Sequence, residues 1–459
     1  MIKDEKFVYL PENLFAVIET SCGDRFLLDK VNFDFYKLDE NIQIAKHDCS
    51  FLFWCESQNI MEEAKELKKS ALFSLRKKMV KNNEILRLAL NLSQICTLRC
   101  KYCYANVGTY GNPGFMSKDV LTRTLDFFLS NYKIHNVHVF GGEPLLNIEM
   151  IEKLFEILKQ KHQELRITIA TSLFVSEKIV EHLVKICKFY EKDFQTYVVI
   201  SLDGPREIHN YTRPSSNNMG SFEQIIRNVE SFRQNNIPIS FEVTYTGLHK
   251  KFGLDVLKIY RYFYEKFNTM NITIAPVYDW SNSLDRELKT NVSMASEYYK
   301  ALVLLLKRIR SSEKLNDFEK IFLDSLLRNY INPSNLSGNL VISTFCPAGS
   351  NSFIVDILGN IYPCQLVVGD SKYKISNVVE HNEERILKDI KNWRSSALKQ
   401  FVRAKHKKCR DCYFTYYCNR CVFKREYEKD MFKTCDVERK ILETIIEVDP
   451  WSLSSTLEK

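Results

Sequence analysis

The chain has 459 residues, 45% hydrophobic and 27% charged, with a formal net charge of +8. That length asks for two or three domains rather than one core. No apolar run approaches the ~18 residues a membrane span needs, and positive charge gathers only in short clusters such as "LRKKMVKNN" and "KHKKCR", so neither a membrane nor a nucleic acid is expected as a partner.

The amino terminus, "MIKDEKFVYLPEN", lacks the apolar segment of a secretory signal and points to the cytoplasm, where thiols stay reduced. Residues 1–80 read as a separate small α+β domain: β-like "LFAVIET" and "DRFLLDK" flank an "SCG" turn, and helical patterns follow. From residue 85 to about 335, short β-like and longer helical segments alternate. Strands are expected at 86–92, 137–141, 165–172, 196–203, 237–246 and 271–277. Helices are expected at 117–130, 148–160, 176–189, 221–234 and 254–267, the first with Ser117 as N-cap. Strands separated by helices imply a parallel α/β sheet that right-handed crossovers curl into an open or closed barrel, with functional residues on loops at the strands' carboxyl ends. Two amphipathic helices follow over 294–331, then a turn-rich linker, "INPSNLSGN", and a cysteine-rich domain over 340–459.

Ten of the fourteen cysteines fall into two groups, and in a reducing compartment such groups hold metal or perform redox chemistry. Cys22, Cys49, Cys55 and Cys187 stand apart and read as small buried residues. "CTLRCKYCYA" places Cys96, Cys100 and Cys103 directly after the first barrel strand, and "GGEP" (141–144) ends the second, so both reach the same rim. Three thiols can hold an iron–sulfur cluster with one iron left for another ligand, whereas a zinc site would have to borrow a fourth ligand from elsewhere. The spacing, together with "GGEP" and "SLDGP" (201–205), resembles the radical S-adenosylmethionine enzymes. That resemblance implies a partial (β/α)6 TIM-like barrel, a catalytic 4Fe-4S cluster on Cys96, Cys100 and Cys103, and S-adenosyl-L-methionine on the open iron. It also implies the cofactor contacts: Tyr102 beside the adenine, Gly141, Gly142 and Glu143 at the methionine ammonium, Ser201 with Thr171 or Ser172 at the ribose, and Arg213 at the methionine carboxylate.

The second group resembles the SPASM extension of that family. Cys346 and Cys364 bracket a hairpin turning at Gly359 and Asn360, and Cys409, Cys412, Cys418, Cys421 and Cys435 follow. By resemblance, Cys409, Cys412, Cys418 and Cys435 hold one auxiliary 4Fe-4S cluster, and Cys346, Cys364 and Cys421 ligate another. The chain departs from the family pattern twice: only Asn419 and Arg420 separate Cys418 from Cys421, and "NLVISTF" (339–345) supplies no further cysteine. An iron left open there could take a substrate thiolate. A pair of zinc sites is the alternative reading of these thiols.

Members with this extension mostly modify peptides or proteins. Sulfatase-type maturation expects an acidic base directly after the hairpin's second cysteine, and this chain has Gln365 there. The loop "YANVGTYGNPGFM" (104–116) is similar to that of thioether-forming peptide maturases. The expected function is therefore a radical S-adenosylmethionine oxidoreductase that abstracts a hydrogen from a ribosomally made precursor peptide and installs a cross-link, foremost a cysteine thioether. Carbon–carbon cross-linking, epimerisation and sulfatase-type maturation are alternatives, and a non-catalytic metal-binding peptide adaptor is the reading from another class. Expected partners are the precursor peptide with its leader and a reducing protein such as flavodoxin or ferredoxin. Residues 1–80 would then be a winged-helix-like leader-recognition domain or a plain cap on the barrel.

Overall fold

The structure, a computed structural model, describes residues 8–447 apart from 13, 20–22, 33, 48–49, 79, 162–164, 280–283, 291–293, 332–345, 402–408, 410–411 and 413–434. It divides into two compact units, one of residues 1–80, 298–346 and 398–459, the other of residues 81–297 and 347–397. Among the described residues no helix is long and apolar enough to cross a membrane.

In the first unit, Phe15–Glu19 and Arg25–Asp29 pair as the expected antiparallel hairpin, from Phe15↔Asp29 to Glu19↔Arg25. The stretch after it departs from the helical expectation. Asp34–Leu38 joins the hairpin as a third strand, while Gln43–His47 and Ser50–Trp54 form a second antiparallel sheet with Val8–Pro11. Only then does a single 21-residue helix, Gln58–Lys78, begin. The run "SFLFW" carries aromatic side chains that pack well on a half-buried pleated surface, which overrides the weak helical periodicity. The elements close on a core that includes Leu10, Phe15, Leu27, Phe53, Ala64 and Ala71. With six strands and one helix, the described part is richer in strand than the expected winged-helix-like domain. The same unit takes in most of Met294–Arg310, and Asp317–Ile331 and Cys435–Glu447, the last two packed together with Ile441 and Leu442 fully buried.

The second unit is built on a nine-stranded sheet. Six parallel strands run in sequence order, Arg87–Ser93, Asn136–Gly141, Arg166–Thr171, Gln195–Ser201, Ile239–Tyr245 and Ile272–Pro276, each within two residues of its expected bounds. Alternate residues, among them Leu88, Val139, Ile169, Val198, Phe241 and Val243, are fully buried under the intervening helices Lys118–Asn131, Ile148–Gln160, Glu177–Phe189, Phe222–Gln234 and Val256–Phe267. Ser117 caps the first of these by accepting from Val120 N at 3.3 Å. The barrel stays open, because the first strand's second neighbour is not the sixth strand but Ser352–Val355, which lies parallel to it from Ser352↔Arg87 to Val355↔Leu90. Asn360–Tyr362 and Ser376–Asn377 then continue the sheet antiparallel. In the turn between the hairpin strands Asp356 accepts from Leu358 N and Asn360 N, and Gly359 takes a φ of +82° that favours glycine. The hairpin that ends at Cys364 is thus part of the barrel's own sheet.

Candidate active site

The cysteine loop and the "GGEP" loop meet through backbone contact, and glycine makes that contact possible. Gly142 N donates to Ser93 O at 2.7 Å and Glu143 N to Ile95 O at 2.8 Å, fixing the segment just before Cys96. A Cβ on Gly141, whose φ is +143°, would stand 2.2 Å from Ser93 O, and one on Gly142 would stand 2.5 Å from Ile95 O. Gly108, at φ +83°, closes the other side, where a Cβ would meet Gly142 Cα at 2.7 Å and Cys96 Cβ at 2.8 Å. The cradle therefore rests on three glycines, of which Gly108 comes from the loop 104–116 rather than from "GGEP".

Glu143 is fully buried and its carboxylate is satisfied by the chain. Leu145 N donates to Oε1 at 3.2 Å, Thr171 Oγ1 to Oε1 at 2.6 Å, Ser172 N to Oε2 at 2.9 Å, and Ser172 Oγ to Oε2. Burial pushes its carboxyl up, against the opposing pull of the Ser172, Thr171 and Leu145 donors. Glu143, expected at the ammonium, and Ser172, expected at the ribose, bond each other in the structure through Ser172 N and Oγ. A carboxylate removed from water must collect donors, and the nearest hydroxyls end the neighbouring strand.

The second knot is Asp203, in the "SLDGP" segment after the fourth strand. Its carboxylate accepts from Tyr102 Oη at 2.5 Å, Thr212 Oγ1 at 2.6 Å and Thr244 N at 3.0 Å, and pairs with Arg213 Nε at 3.2 Å. Two histidines hold its backbone. Asp203 N donates to His209 Nδ1 at 3.2 Å, and His249 Nε2 lies 2.7 Å from Asp203 O. With His249 Nδ1 likewise accepting from Thr246 N at 3.1 Å, the hydrogen bonds assign both rings as neutral with the proton on Nε2, and burial holds His209 down at about 4. Burial alone would raise the Asp203 carboxyl, but the Arg213 charge and the Thr212 and Tyr102 hydroxyl donors bring it below the usual aspartate value. Arg213 in turn lies over the Tyr102 ring at 5.3 Å and reaches Cys100 Sγ at 3.9 Å. Tyr102 and Arg213, both singled out by sequence, are brought together here; Ser201 ends the fourth strand, two residues before Asp203. Asp203, His209 and His249 were missed. A charged residue directly before Gly204-Pro205 at a strand end was the available signal for the first.

Cys96, Cys100 and Cys103 are half-buried thiols on one loop. Burial pushes Cys96 up to about 11 and Cys100 up to about 12, so a metal would be needed to draw off their protons near neutrality. Leu98 N lies 3.4 Å from Cys96 Sγ, which with the Arg213 contact gives two sulfurs a donor of the kind that tunes iron–sulfur ligands. Three thiols on one loop can each hold a different iron of one cluster, whereas a structural zinc site would need a fourth ligand from elsewhere.

Of the second group, Cys418 and Cys421 lie outside the described residues. Cys364 belongs to the barrel unit, and Cys346, Cys409, Cys412 and Cys435 to the other. Cys55 and Cys187 are buried as expected, while Cys22 and Cys49 lie outside the described residues. Gln365 does not hang free: its Oε1 accepts from Arg87 Nη2 at 3.1 Å and from Cys364 Sγ at 3.4 Å. Over the same inner face Ala105 and Tyr110, from the loop after Cys103, pack with Ala89, Ile354, Tyr362 and Val368.

Residues 90–263 match the Radical SAM superfamily and residues 346–413 the SPASM iron–sulfur cluster-binding domain. The chain is similar to the cysteine-type anaerobic sulfatase-maturating enzyme of Clostridium perfringens, at 26% identity over 334 residues, 69% of this chain and 83% of the relative. Among solved structures it resembles native anSMEcpe with bound AdoMet and Cp18Cys peptide, with TM-score 0.55, 21% identity, and coverage of 81% of this chain and 99% of that one. It also resembles Streptococcus suis SuiB bound to precursor peptide SuiA, with TM-score 0.50, 14% identity, and coverage of 92% and 97%.

Proposed function

Joining a radical SAM domain to a SPASM domain, the chain is a radical SAM enzyme that uses iron–sulfur clusters and S-adenosylmethionine, and we propose that it closes a cysteine thioether in a ribosomally made precursor peptide. The observation that supports this most is the hairpin ending at Cys364, which extends the barrel sheet beside the first strand. A peptide seated in the barrel then has the cofactor loop and an auxiliary-cluster cysteine on one sheet. Bound together, the first cluster and S-adenosylmethionine supply a 5'-deoxyadenosyl radical.

The chain's part is to hold and exclude. Cys96, Cys100 and Cys103 would carry the first cluster, and the remaining cysteines of the second group the auxiliary ones, in the two sets named above. Gly141 and Gly142 bring backbone against the cluster loop, Glu143 locks that loop to the third strand through Thr171 and Ser172, and Tyr102, Ser201 and Arg213 line the cofactor's side. Gln365, a neutral amide tied to Arg87, cannot take a proton, which favours thioether formation over sulfatase-type maturation. The likeness to the cysteine-type sulfatase-maturating enzyme favours that second reading. In the first unit, Asp34–Leu38 pairs on one side only among the described residues and would take a leader by strand addition. Flavodoxin or ferredoxin would supply electrons in the cytoplasm.

Anaerobic reconstitution should load about twelve irons per chain as three four-iron clusters. Co-expression with a candidate precursor, followed by mass spectrometry, should give a product lighter by one pair of hydrogens per thioether, with its cysteines closed to alkylation. An aldehyde that reacts with a hydrazide would establish the sulfatase-type reading instead, and an unaltered mass would refute both.

A further inference from the structure

The barrel's inner face carries a carboxylate that the chain leaves open. On the fifth strand, Phe241 faces the helical layer, its ring 4.9 Å from that of Phe263 and 4.6 Å from that of Phe267, and Val243 and Tyr245 are buried on the same side. Side chains alternate along a strand, so Glu242 shares the opposite face with Thr244, whose Oγ1 lies 3.5 Å from Arg213 Nη2. Glu242 stands opposite Ser201 in the parallel register of the fourth and fifth strands.

Its surroundings set it apart from the other two carboxylates of the rim. Glu143 takes four donors from the chain, and Asp203 takes three and an ion pair with Arg213. Among the described residues, the half-buried Glu242 side chain takes none. The charges that act on it are Arg213 and Asp203 of the cofactor rim and Arg87, the residue that holds Gln365 beside Cys364. Glu242 therefore lies in the field of both the cofactor loop and the auxiliary hairpin. Burial, the leading influence, pushes its carboxyl up, toward the range in which a carboxylate is an effective proton acceptor near neutral pH. Its side chain is half-buried rather than sealed off, so a proton-bearing substrate group can reach it.

We propose that Glu242 is the general base of the peptide oxidation, an inference that rests on the peptide-modifying reading above. The substrate carbon gives a hydrogen atom to the 5' carbon of the deoxyadenosyl group. The partner heteroatom, a thiol in the thioether case, gives its proton to a Glu242 carboxylate oxygen. One electron leaves to an oxidised iron–sulfur cluster of the SPASM class, and the new bond joins the carbon to the heteroatom. The same proton must be taken whether the product is a thioether or an aldehyde, so Glu242 fills the role that Gln365 cannot.

The test uses the full chain, reconstituted anaerobically, as wild type, Glu242→Gln and Glu242→Asp, each with its iron content measured. The peptide is deuterated at the attacked carbon, and modified peptide is compared with deuterated 5'-deoxyadenosine. Loss of a positioned base should lower that ratio by ~100-fold in Glu242→Gln, with partial recovery in Glu242→Asp, while equilibrium dialysis shows S-adenosylmethionine affinity close to wild type. An unchanged ratio overturns the assignment, and so does a fall in cofactor affinity that accounts for the whole loss. If the wild type deuterates 5'-deoxyadenosine from no peptide, the peptide-modifying reading falls and this inference with it; if wild type and Glu242→Gln perform alike, only this inference falls.

Discussion

Removing the Asp203 carboxylate tests whether the rim is held by one buried charge pair. Its side chain is inaccessible to solvent and that of Arg213 is 10% exposed. In Asp203→Ala, Arg213 loses its counter-charge and the Tyr102 hydroxyl and Thr244 N lose their acceptor, while the Thr212 hydroxyl keeps Ile208 O at 3.0 Å. Deleting one partner of a buried pair costs ~3–5 kcal/mol, and each stranded donor adds ~1 kcal/mol or more where water cannot replace the acceptor. The expected loss is therefore at least ~4 kcal/mol. Arg213→Met should cost nearly as much alone, yet the double variant should cost less than the sum, with a coupling of at least ~2 kcal/mol, because neither charge is then stranded. Urea unfolding of the apoprotein, followed by circular dichroism, reads all four corners of this cycle. A single-variant loss below ~1 kcal/mol, or a coupling below ~0.5 kcal/mol, would refute the reasoning.

The same pair predicts an acid limb. With its folded value held below the usual 3.8, Asp203 contributes stability that is complete above 3.8 and disappears as pH falls through the lower folded value, so the stability gap between wild type and Asp203→Asn should close in that window and be flat above it. Gly141→Ala, which sets a Cβ 2.2 Å from Ser93 O at a φ of +143°, should cost ~3 kcal/mol or more and lower the iron bound on reconstitution. Removing both hydroxyls in Thr171→Val with Ser172→Ala should cost ~2–4 kcal/mol, since the buried Glu143 keeps only backbone donors; a stability within ~0.5 kcal/mol of wild type would show that water reaches that carboxylate. Cys100→Ala should drop the iron count from about twelve to about eight, with the auxiliary clusters retained.

Most of the barrel was legible because parallel strands buried beneath helices leave a strong signal: apolar runs such as Arg87–Ser93 alternate with helices of clear periodicity such as Ile148–Gln160. The region after Asp29 was not, because strands such as Asp34–Leu38 and Gln43–His47 bury little and carry charged residues that mimic a helical face. The hairpin before Cys364 was foreseen, but its parallel pairing with the first strand was not, since that partner lies far away in sequence. At the site, residues within motifs were found and their partners were not. Glu143 stood out in "GGEP", but that its acceptors would be filled by Thr171 and Ser172 depends on where two strands end in space. Asp203 passed unremarked beside Ser201 for the same reason: its importance comes from Tyr102, Thr212, Arg213 and Thr244, which only the fold assembles around it.

The first barrel strand is flanked on one side by a segment that the ribosome makes long after it. Arg87 bonds Ser352 across a separation of 265 residues, and at ~5–20 residues per second that strand waits roughly ten seconds to a minute for its neighbour. Throughout that interval its backbone is an open edge in the middle of the future sheet, a template for mispairing. A barrel released before residue 352 would keep that edge permanently, so shortened forms of this chain should precipitate, and expression should improve when translation of the segment between Arg87 and Ser352 is fast.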